Sequence, residues 1–323
     1  MNIETNINTP ILFLIFSRPD TTRRVFEAIR AARPRQLFIA ADGPRPHKEG
    51  EAERCEECRK IASEVDWPCE VHTLFREENL GCGRAVSGAI TWFFEHVEEG
   101  IILEDDTLPG PGFFRFCSEL LERYRHDTRV MAVSGSSLPC RLTTNSKYSY
   151  FFSNWDYIWG WATWRRAWKH YDYSMRHYEY AIQKGFFDNN YYSPFEKYYI
   201  DYAYDKSYYA NDSVTWWSYQ WGFARKINSG LVAVPVKNFI VNIGLGKGAT
   251  NTTSEDRWNF FKHEEMEFPL KHPDFVMHDR ITDDEIFEKY FTTPSSRLKT
   301  YVKEYLPAFV KQRLRKSKHG TAT

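Results

Sequence analysis

Three consecutive carboxylates, Glu104, Asp105 and Asp106, close an apolar run that starts at Gly100. Such a run reads as a buried strand that ends where its charges can meet a ligand. Adjacent carboxylates repel one another, and a divalent cation is the simplest group that offsets the repulsion, so the triplet is a candidate hard-metal site. The plainer reading is an acidic loop closing an α/β unit. Other residues able to do chemistry stand at similar places. Arg18 follows the first apolar run, Asp42 sits in the turn sequence Asp42-Gly43-Pro44, and Arg84 follows Gly81 and Gly83 at a helix start, where an anion is favoured. No Walker-type Gly-Lys-Ser/Thr loop and no Gly-x-Gly-x-x-Gly turn is present, which argues against a P-loop ATPase and a nicotinamide enzyme. Cys55 and Cys58 form a lone Cys-x-x-Cys whose spacing to Cys69 and Cys82 fits no zinc finger or ribbon.

The elements that must position these residues alternate. Strands are predicted over residues 10–16, 36–41, 69–74, 100–104 and 129–134, with 231–235 and 239–243 as a closing strand pair. Helices are predicted after Asp20 as N-cap, over 49–65, through Phe94, and over 113–124. The fold class is therefore α/β, a mostly parallel central sheet flanked by helices. In such a sheet ligands bind outside the carboxyl ends of the strands, so Arg18, Asp42, Arg84 and the acidic triplet should converge on one crevice. A metal among carboxylates with two arginines nearby is what a nucleoside diphosphate requires.

Composition narrows the classes further. In 323 residues, 43 basic and 43 acidic side chains cancel, against a dedicated nucleic-acid binder. The aromatic fraction is 17%, which suits a protein that stacks rings or sugars as well as a large core. The polar start and short apolar run do not read as a signal peptide, and no stretch is long enough to span a bilayer. The expected location is the cytoplasm, with the six cysteines as thiols.

Taken in order, the segments Phe16-Ser17-Arg18-Pro19, Ala41-Asp42-Gly43-Pro44, Asn79-Leu80-Gly81, Leu103-Glu104-Asp105-Asp106, Trp159-Gly160-Trp161-Ala162-Thr163-Trp164 and Asn242-Ile243-Gly244-Leu245-Gly246 resemble a GT-A-type glycosyltransferase. The pattern is similar to the N-acetylglucosaminyltransferase family of N-glycan assembly and to bacterial hemolysin-like glycosyltransferases. The resemblance implies a GT-A, Rossmann-like catalytic domain over residues 1–253, in which Asp106 binds Mn²⁺ or Mg²⁺ while Asp105 and Glu104 face the ribose and donor sugar. It also implies that Asp42 reads the base, with a UDP-sugar favoured, that Arg18 and Arg84 steady the ribose or diphosphate, and that a hexosyl or N-acetylhexosaminyl group moves with inversion to a glycan, lipid-linked or other hydroxyl acceptor.

Two positions depart from the family pattern. Ser218 stands where inverting members carry the acid that takes the acceptor proton, so either Asp212, Asp201 or Asp156 becomes the candidate base, or transfer follows a retaining course, or the alignment there is shifted, or activity is lost. Asn251 stands where relatives place a His, although Lys247 among glycines can still neutralise a leaving diphosphate. Trp161 is a candidate sugar contact, Gly160 permitting close approach, or else part of a buried aromatic hinge. The tyrosine-rich stretch 173–209 reads as a lid or as core. Residues 254–323 read as a carboxyl-terminal extension whose last helix, with Leu298, Tyr301, Tyr305, Phe309 and Leu314 among basic residues, either touches the inner face of a membrane or docks on its own domain. Two alternatives remain beside glycosyl transfer: a sugar-phosphate nucleotidyltransferase, and a catalytically silent carbohydrate-binding protein of the same fold.

Overall fold

The computed structural model describes residues 6–191, 193–209, 216–244 and 262–292. The strands are β1 (Ile11–Ile15), β2 (Gln36–Ala41), β3 (Glu70–Phe75), β4 (Glu99–Glu104), β5 (Thr107–Pro109), β6 (Val130–Ser134), β7 (Tyr150–Ser153), β8 (Trp161–Trp164), β9 (Leu231–Pro235) and β10 (Ile240–Asn242). The longer helices are α1 (Pro19–Ala32), α2 (Glu51–Ala62), α3 (Gly81–His96) and α4 (Phe113–Tyr124). They are followed by α5 (Arg141–Thr144), α6 (Arg165–Trp168), α7 (Tyr178–Gln183), α8 (Phe186–Asn190), α9 (Pro194–Tyr209), α10 (Ser218–Ile227) and α11 (Arg280–Tyr290).

Eight strands form one sheet in the order β3-β2-β1-β4-β8-β6-β9-β7. The first four are mutually parallel, as are β6 and β9, whereas β8 runs antiparallel to both β4 and β6, and β7 antiparallel to β9. Every residue of β1 is buried, and its side chains alternate. Ile11, Phe13 and Ile15 pack with α1, α2 and α4 on one face, while Leu12 and Leu14 pack with α3, α10 and α11 on the other. Covering both faces is what a parallel sheet requires, because its strands are apolar on both sides.

Three expectations change. Residues 231–235 and 239–243 are not a strand pair: β9 joins the large sheet beside β6, and β10 instead pairs antiparallel with β5 in a separate ribbon. Asp20 is not the N-cap of α1, since Pro19 takes the first helical turn and Arg18 is the half-in residue, with Asp20 complementing the helix dipole from inside. Within the expected extension, residues 262–292 lie along the edge of the large sheet. Lys271 exchanges hydrogen bonds with Ser149, and the Asp279 N–H donates to the Phe152 carbonyl, so this segment covers the free edge of β7. The terminal helix expected beyond residue 297 lies outside the described residues, and among those described no helix is long and apolar enough to cross a membrane.

Candidate functional site

The carboxyl ends of β1, β2 and β4 open on a crevice of about 270 Å³ whose walls include Phe16, Arg18, Asp42, Arg45, Arg76, Asn79, Cys82, Glu104 and Asp105. Beneath it the acidic triplet is held by a tight turn. The Thr107 hydroxyl accepts from the Glu104 N–H (2.9 Å) and donates to the Glu104 carbonyl (3.0 Å), which closes the strand and turns the next two carboxylates toward Arg18. The Arg18 guanidinium spans both, 2.9 Å from Asp105 and 2.8 Å from Asp106. Asp105 is buried and also accepts from the Phe16 N–H (3.1 Å), so it ties β4 to β1, whereas the Asp106 side chain keeps 14% exposure.

One guanidinium does not balance three carboxylates. Burial, then repulsion from Asp106 and Asp105, pushes Glu104 up to about 8 despite Arg18. Burial likewise pushes Asp105 up to about 7, with Arg18 opposing and Asp106 adding to the rise. For Arg18 burial works against the charge, but Asp105, Asp106 and Glu104 outweigh it and raise its pKa. The oxygen donors suit a hard cation, and the surplus negative charge calls for one. Among the described residues no group of three His, Cys, Asp or Glu side chains forms a ready-made cage. The arrangement fits a cation held by one or two carboxylates and completed by phosphate oxygens.

The loop Asn242-Ile243-Gly244 closes over the same point. The Ile243 N–H donates to the Asp106 carbonyl (2.8 Å), and a Cβ on Gly244 would overlap Arg18 and Asp106, so only glycine lets this loop approach. Lys247 and Asn251, further along the loop, lie outside the described residues.

Asp42 reaches the crevice, but its carboxylate accepts the backbone N–H groups of Leu80 and Gly81 at 3.0 to 3.1 Å, which anchors the amino end of α3. Asn79 donates to the Gly43 carbonyl at 2.7 Å, and a Cβ on Gly43 would overlap the backbone of Glu77 and Glu78. The two motifs Asp42-Gly43-Pro44 and Asn79-Leu80-Gly81 are thus one packed junction. Arg84 is not among the crevice walls: it is exposed, and its guanidinium lies over the Tyr173 ring, 4.7 Å from the centroid. The cations that do line the crevice, besides Arg18, are Arg45 and Arg76. Arg45 is engaged by the buried Glu51 carboxylate. Arg76 has no ion pair among the described residues, and burial lowers its pKa even though Asp42 raises it. It is the wall residue best placed to receive a ligand's acceptor group.

The aromatic motif behaves differently from the sugar-contact expectation. Trp161 is 1% exposed and stacks on Trp217 (5.6 Å) within a cluster that includes Trp168 and Trp221. It is core, because β8 buries its first residue in the middle of the sheet. A second cavity of about 260 Å³ lies nearby, walled by Ser136, Trp155, Asp156, Trp159, Ser218, Tyr219, Phe287 and Phe291. Asp156 does not suit the role of base. Burial opposes its ionisation, but Lys226 at 2.8 Å and Arg225 at 2.6 Å outweigh that and hold the carboxyl below its usual range, which makes it a weak proton acceptor. Asp201 sits on α9 and lines neither cavity, and Asp212 lies outside the described residues. The tyrosines of α7 and α9 form a third apolar cluster with Phe186 and Phe223, so that much of the expected lid is core.

Sequence reasoning missed Thr107, Arg45, Arg76, the Arg225–Lys226 pair and the rings of α11. Only Thr107 carried a local signal, a hydroxyl residue three positions after a strand end.

No protein-family model matches the sequence, and no curated protein matches it. Solved structures match about half of the chain. HddC from Yersinia pseudotuberculosis matches at 9% identity and a TM-score of 0.31, covering 49% of this chain and 77% of that one. A UDP-glucose pyrophosphorylase complexed with UDP-glucose matches at 15% identity and a TM-score of 0.25, covering 46% and 63%. The inositol-1-phosphate CTP transferase from T. maritima matches at 12% identity and a TM-score of 0.30, covering 50% and 73%. At these values the likeness carries no argument about what this chain does.

Proposed function

We propose that the crevice binds a nucleoside-diphosphate sugar together with a divalent cation and that the chain transfers the glycosyl group to a hydroxyl acceptor. The observation that carries this reading is Arg18 bridging Asp105 and Asp106 beneath a crevice at the carboxyl edge of a parallel sheet. In it Asp106 would hold Mn²⁺ or Mg²⁺, which when bound supplies positive charge against the diphosphate. Arg18 sets the position of both carboxylates, the Asp42 junction holds α3 against the nucleotide, and Arg76 offers N–H donors to a base carbonyl or a phosphate. The acceptor oxygen forms a bond to the anomeric carbon as the bond from that carbon to the diphosphate breaks, and the acceptor proton passes to a base.

A second reading has the same donor half: transfer of a nucleotidyl group to a sugar phosphate, with pyrophosphate as the other product. Two of the solved neighbours are named as a pyrophosphorylase and a CTP transferase, and this reading fits those names at least as well. Against it, the turn Phe16-Ser17-Arg18-Pro19 is not the glycine-rich loop that such transfer uses. A thermal-shift screen of UDP, GDP and their sugars with Mn²⁺ tests the shared half, since ligand at roughly a hundred times its Kd adds about 2.7 kcal/mol. Product analysis then separates the readings: release of nucleoside diphosphate supports glycosyl transfer, and consumption of pyrophosphate to yield a nucleoside triphosphate supports the second. No metal-dependent shift with any nucleotide removes both.

The raised carboxyls give a further expectation. Glu104 and Asp105 both titrate above the ordinary carboxylate range near pH 4. Between about pH 8 and about pH 5 the folded chain therefore holds more protons than the unfolded one, and stability rises as pH falls through that window. Chelated protein should melt higher at the acid end, and Glu104→Gln should flatten the slope. Mn²⁺, which takes the ionised carboxylates, should flatten it as well. Melting curves across the window with chelator and with Mn²⁺ decide this, and a chelated protein that loses stability on acidification counts against the assignment.

A further inference from the structure

We propose that the aromatic cavity is the acceptor subsite and that it takes a single pyranose, with α11 as one wall. The assignment rests on the donor reading of the crevice. Both cavities lie on the same face of the sheet: Leu14 and Ala40 of the crevice and Leu138, Tyr157 and Ile286 of the aromatic cavity belong to one apolar cluster. They also meet the same sheet edge. Ser136 follows the carboxyl end of β6, and Trp159 precedes the antiparallel β8, while Glu104 and Asp105 end β4. Only β8 separates β4 from β6, so the two strand ends stand about 10 Å apart, two strand spacings. That is the span of a hexose with its linking phosphate.

The lining has the chemistry of a sugar site. Trp155, Phe287 and Phe291 are nearly parallel, Trp155 lying 5.1 Å from Phe287 at 13° and 6.0 Å from Phe291 at 1°, with 12° between the two phenylalanines. These stacked rings give the cavity an aromatic wall against which the C–H face of a pyranose can pack. A few fixed polar groups share the lining with this apolar surface, the usual division of labour in a small-molecule site. Asp156 presents a carboxylate pinned by Arg225 and Lys226, and Ser136 and Ser218 add hydroxyls. A volume of about 260 Å³ admits one ring rather than a chain.

The α11 wall is preformed. Asp283 accepts from the Ser153 hydroxyl (2.6 Å) and the Asn154 N–H (2.9 Å), and Glu285 accepts from the Arg141 N–H (2.8 Å). The Asp283 bonds lock the helix to the strand end and loop that carry Trp155, and the Glu285 bond ties it to α5.

The test uses the full chain with methyl glycosides of glucose, galactose and N-acetylglucosamine at millimolar concentration, read by saturation-transfer NMR and tryptophan fluorescence. At least one should bind, and Phe291→Ala should weaken it about five- to tenfold through loss of ring stacking. Phe291→Leu, which keeps apolar volume and the packing of α11, should weaken it equally. UDP and GDP binding with Mn²⁺ is measured in the same samples and should stay at the parental value. Absence of binding by every glycoside, full binding in the leucine variant, or preferential uptake of a plain alkyl chain such as octanol overturns the subsite. Glycoside binding without any nucleotide binding removes the donor reading instead, leaving a carbohydrate-binding protein.

Discussion

Asp106→Ala should abolish the metal-dependent part of nucleotide binding and lower turnover by at least roughly a hundred- to a thousandfold, the loss expected when one fixed electrostatic group aimed at developing charge is removed. The fold should survive. Asp106 keeps 14% side-chain exposure, and among the described residues its side chain bonds to Arg18, which also pairs with Asp105 at 2.9 Å. Asp105 is the wrong probe, because it is buried and binds the Phe16 N–H, so that its removal loosens β1 from β4. Glu104 is an ambiguous one, since its raised pKa means that truncation also relieves repulsion and stabilises the apo chain. Only at Asp106 do loss of cation affinity and retention of fold separate cleanly. Isothermal titration with Mn²⁺ and UDP, beside a melting curve, reads both. If Asp106→Ala binds cation and nucleotide as the parent does, the cation sits elsewhere and the proposed site is wrong.

What the sequence disclosed about this site follows from how local each signal is. The strand ends were legible because β1, β2 and β4 are short apolar runs stopped by charge or turn residues, and a parallel sheet brings such ends together. The acidic triplet was legible for the same reason. Which arginines line the crevice was not, because that depends on a junction between residues far apart. Gly43 packs against Glu77 and Glu78, and this brings Arg45 and Arg76 to the crevice while Arg84, on the first turn of α3, faces Tyr173. The tryptophan motif misled for a related reason. Aromatic residues around a glycine suit a sugar platform and an interior strand alike, and only the insertion of β8 between β4 and β6 buries Trp161. The cavity that does present aromatic faces draws on α11, more than a hundred residues beyond Trp159, within a stretch whose composition suggested an appendage.

Asp156 shows the cost of reading a lone acid without its partners. Arg225 and Lys226 are fully or almost fully buried, and Asp156 is the carboxylate that pairs with both, while Arg225 also donates to the Asn154 carbonyl at 2.8 Å. Removing one partner from a buried ion group leaves uncompensated charge, so Asp156→Ala should destabilise the chain by about 3–5 kcal/mol. The loss should depend on pH. Burial, opposed by Asp156, already lowers Lys226 to about 8, below its usual value near 10. A lysine whose folded pKa is depressed destabilises most where it is charged, and stability recovers as pH rises through the folded value. Without Asp156 that value falls further, so Lys226 sheds its proton sooner and the gap to the parent should narrow between about pH 7 and about pH 9. Arg225 has lost its carboxylate partner at either pH, and part of the loss should therefore persist. Gly222 bears on the same point, because a Cβ there would overlap the Asp156 carboxylate, and Gly222→Ala should reproduce the instability by displacing the acid without removing it. Denaturant unfolding at the two pH values checks all three statements. A loss below about 1 kcal/mol for Asp156→Ala would mean that water or a neighbouring group satisfies both cations, and the carboxylate would then be free to serve as the base that its environment here argues against.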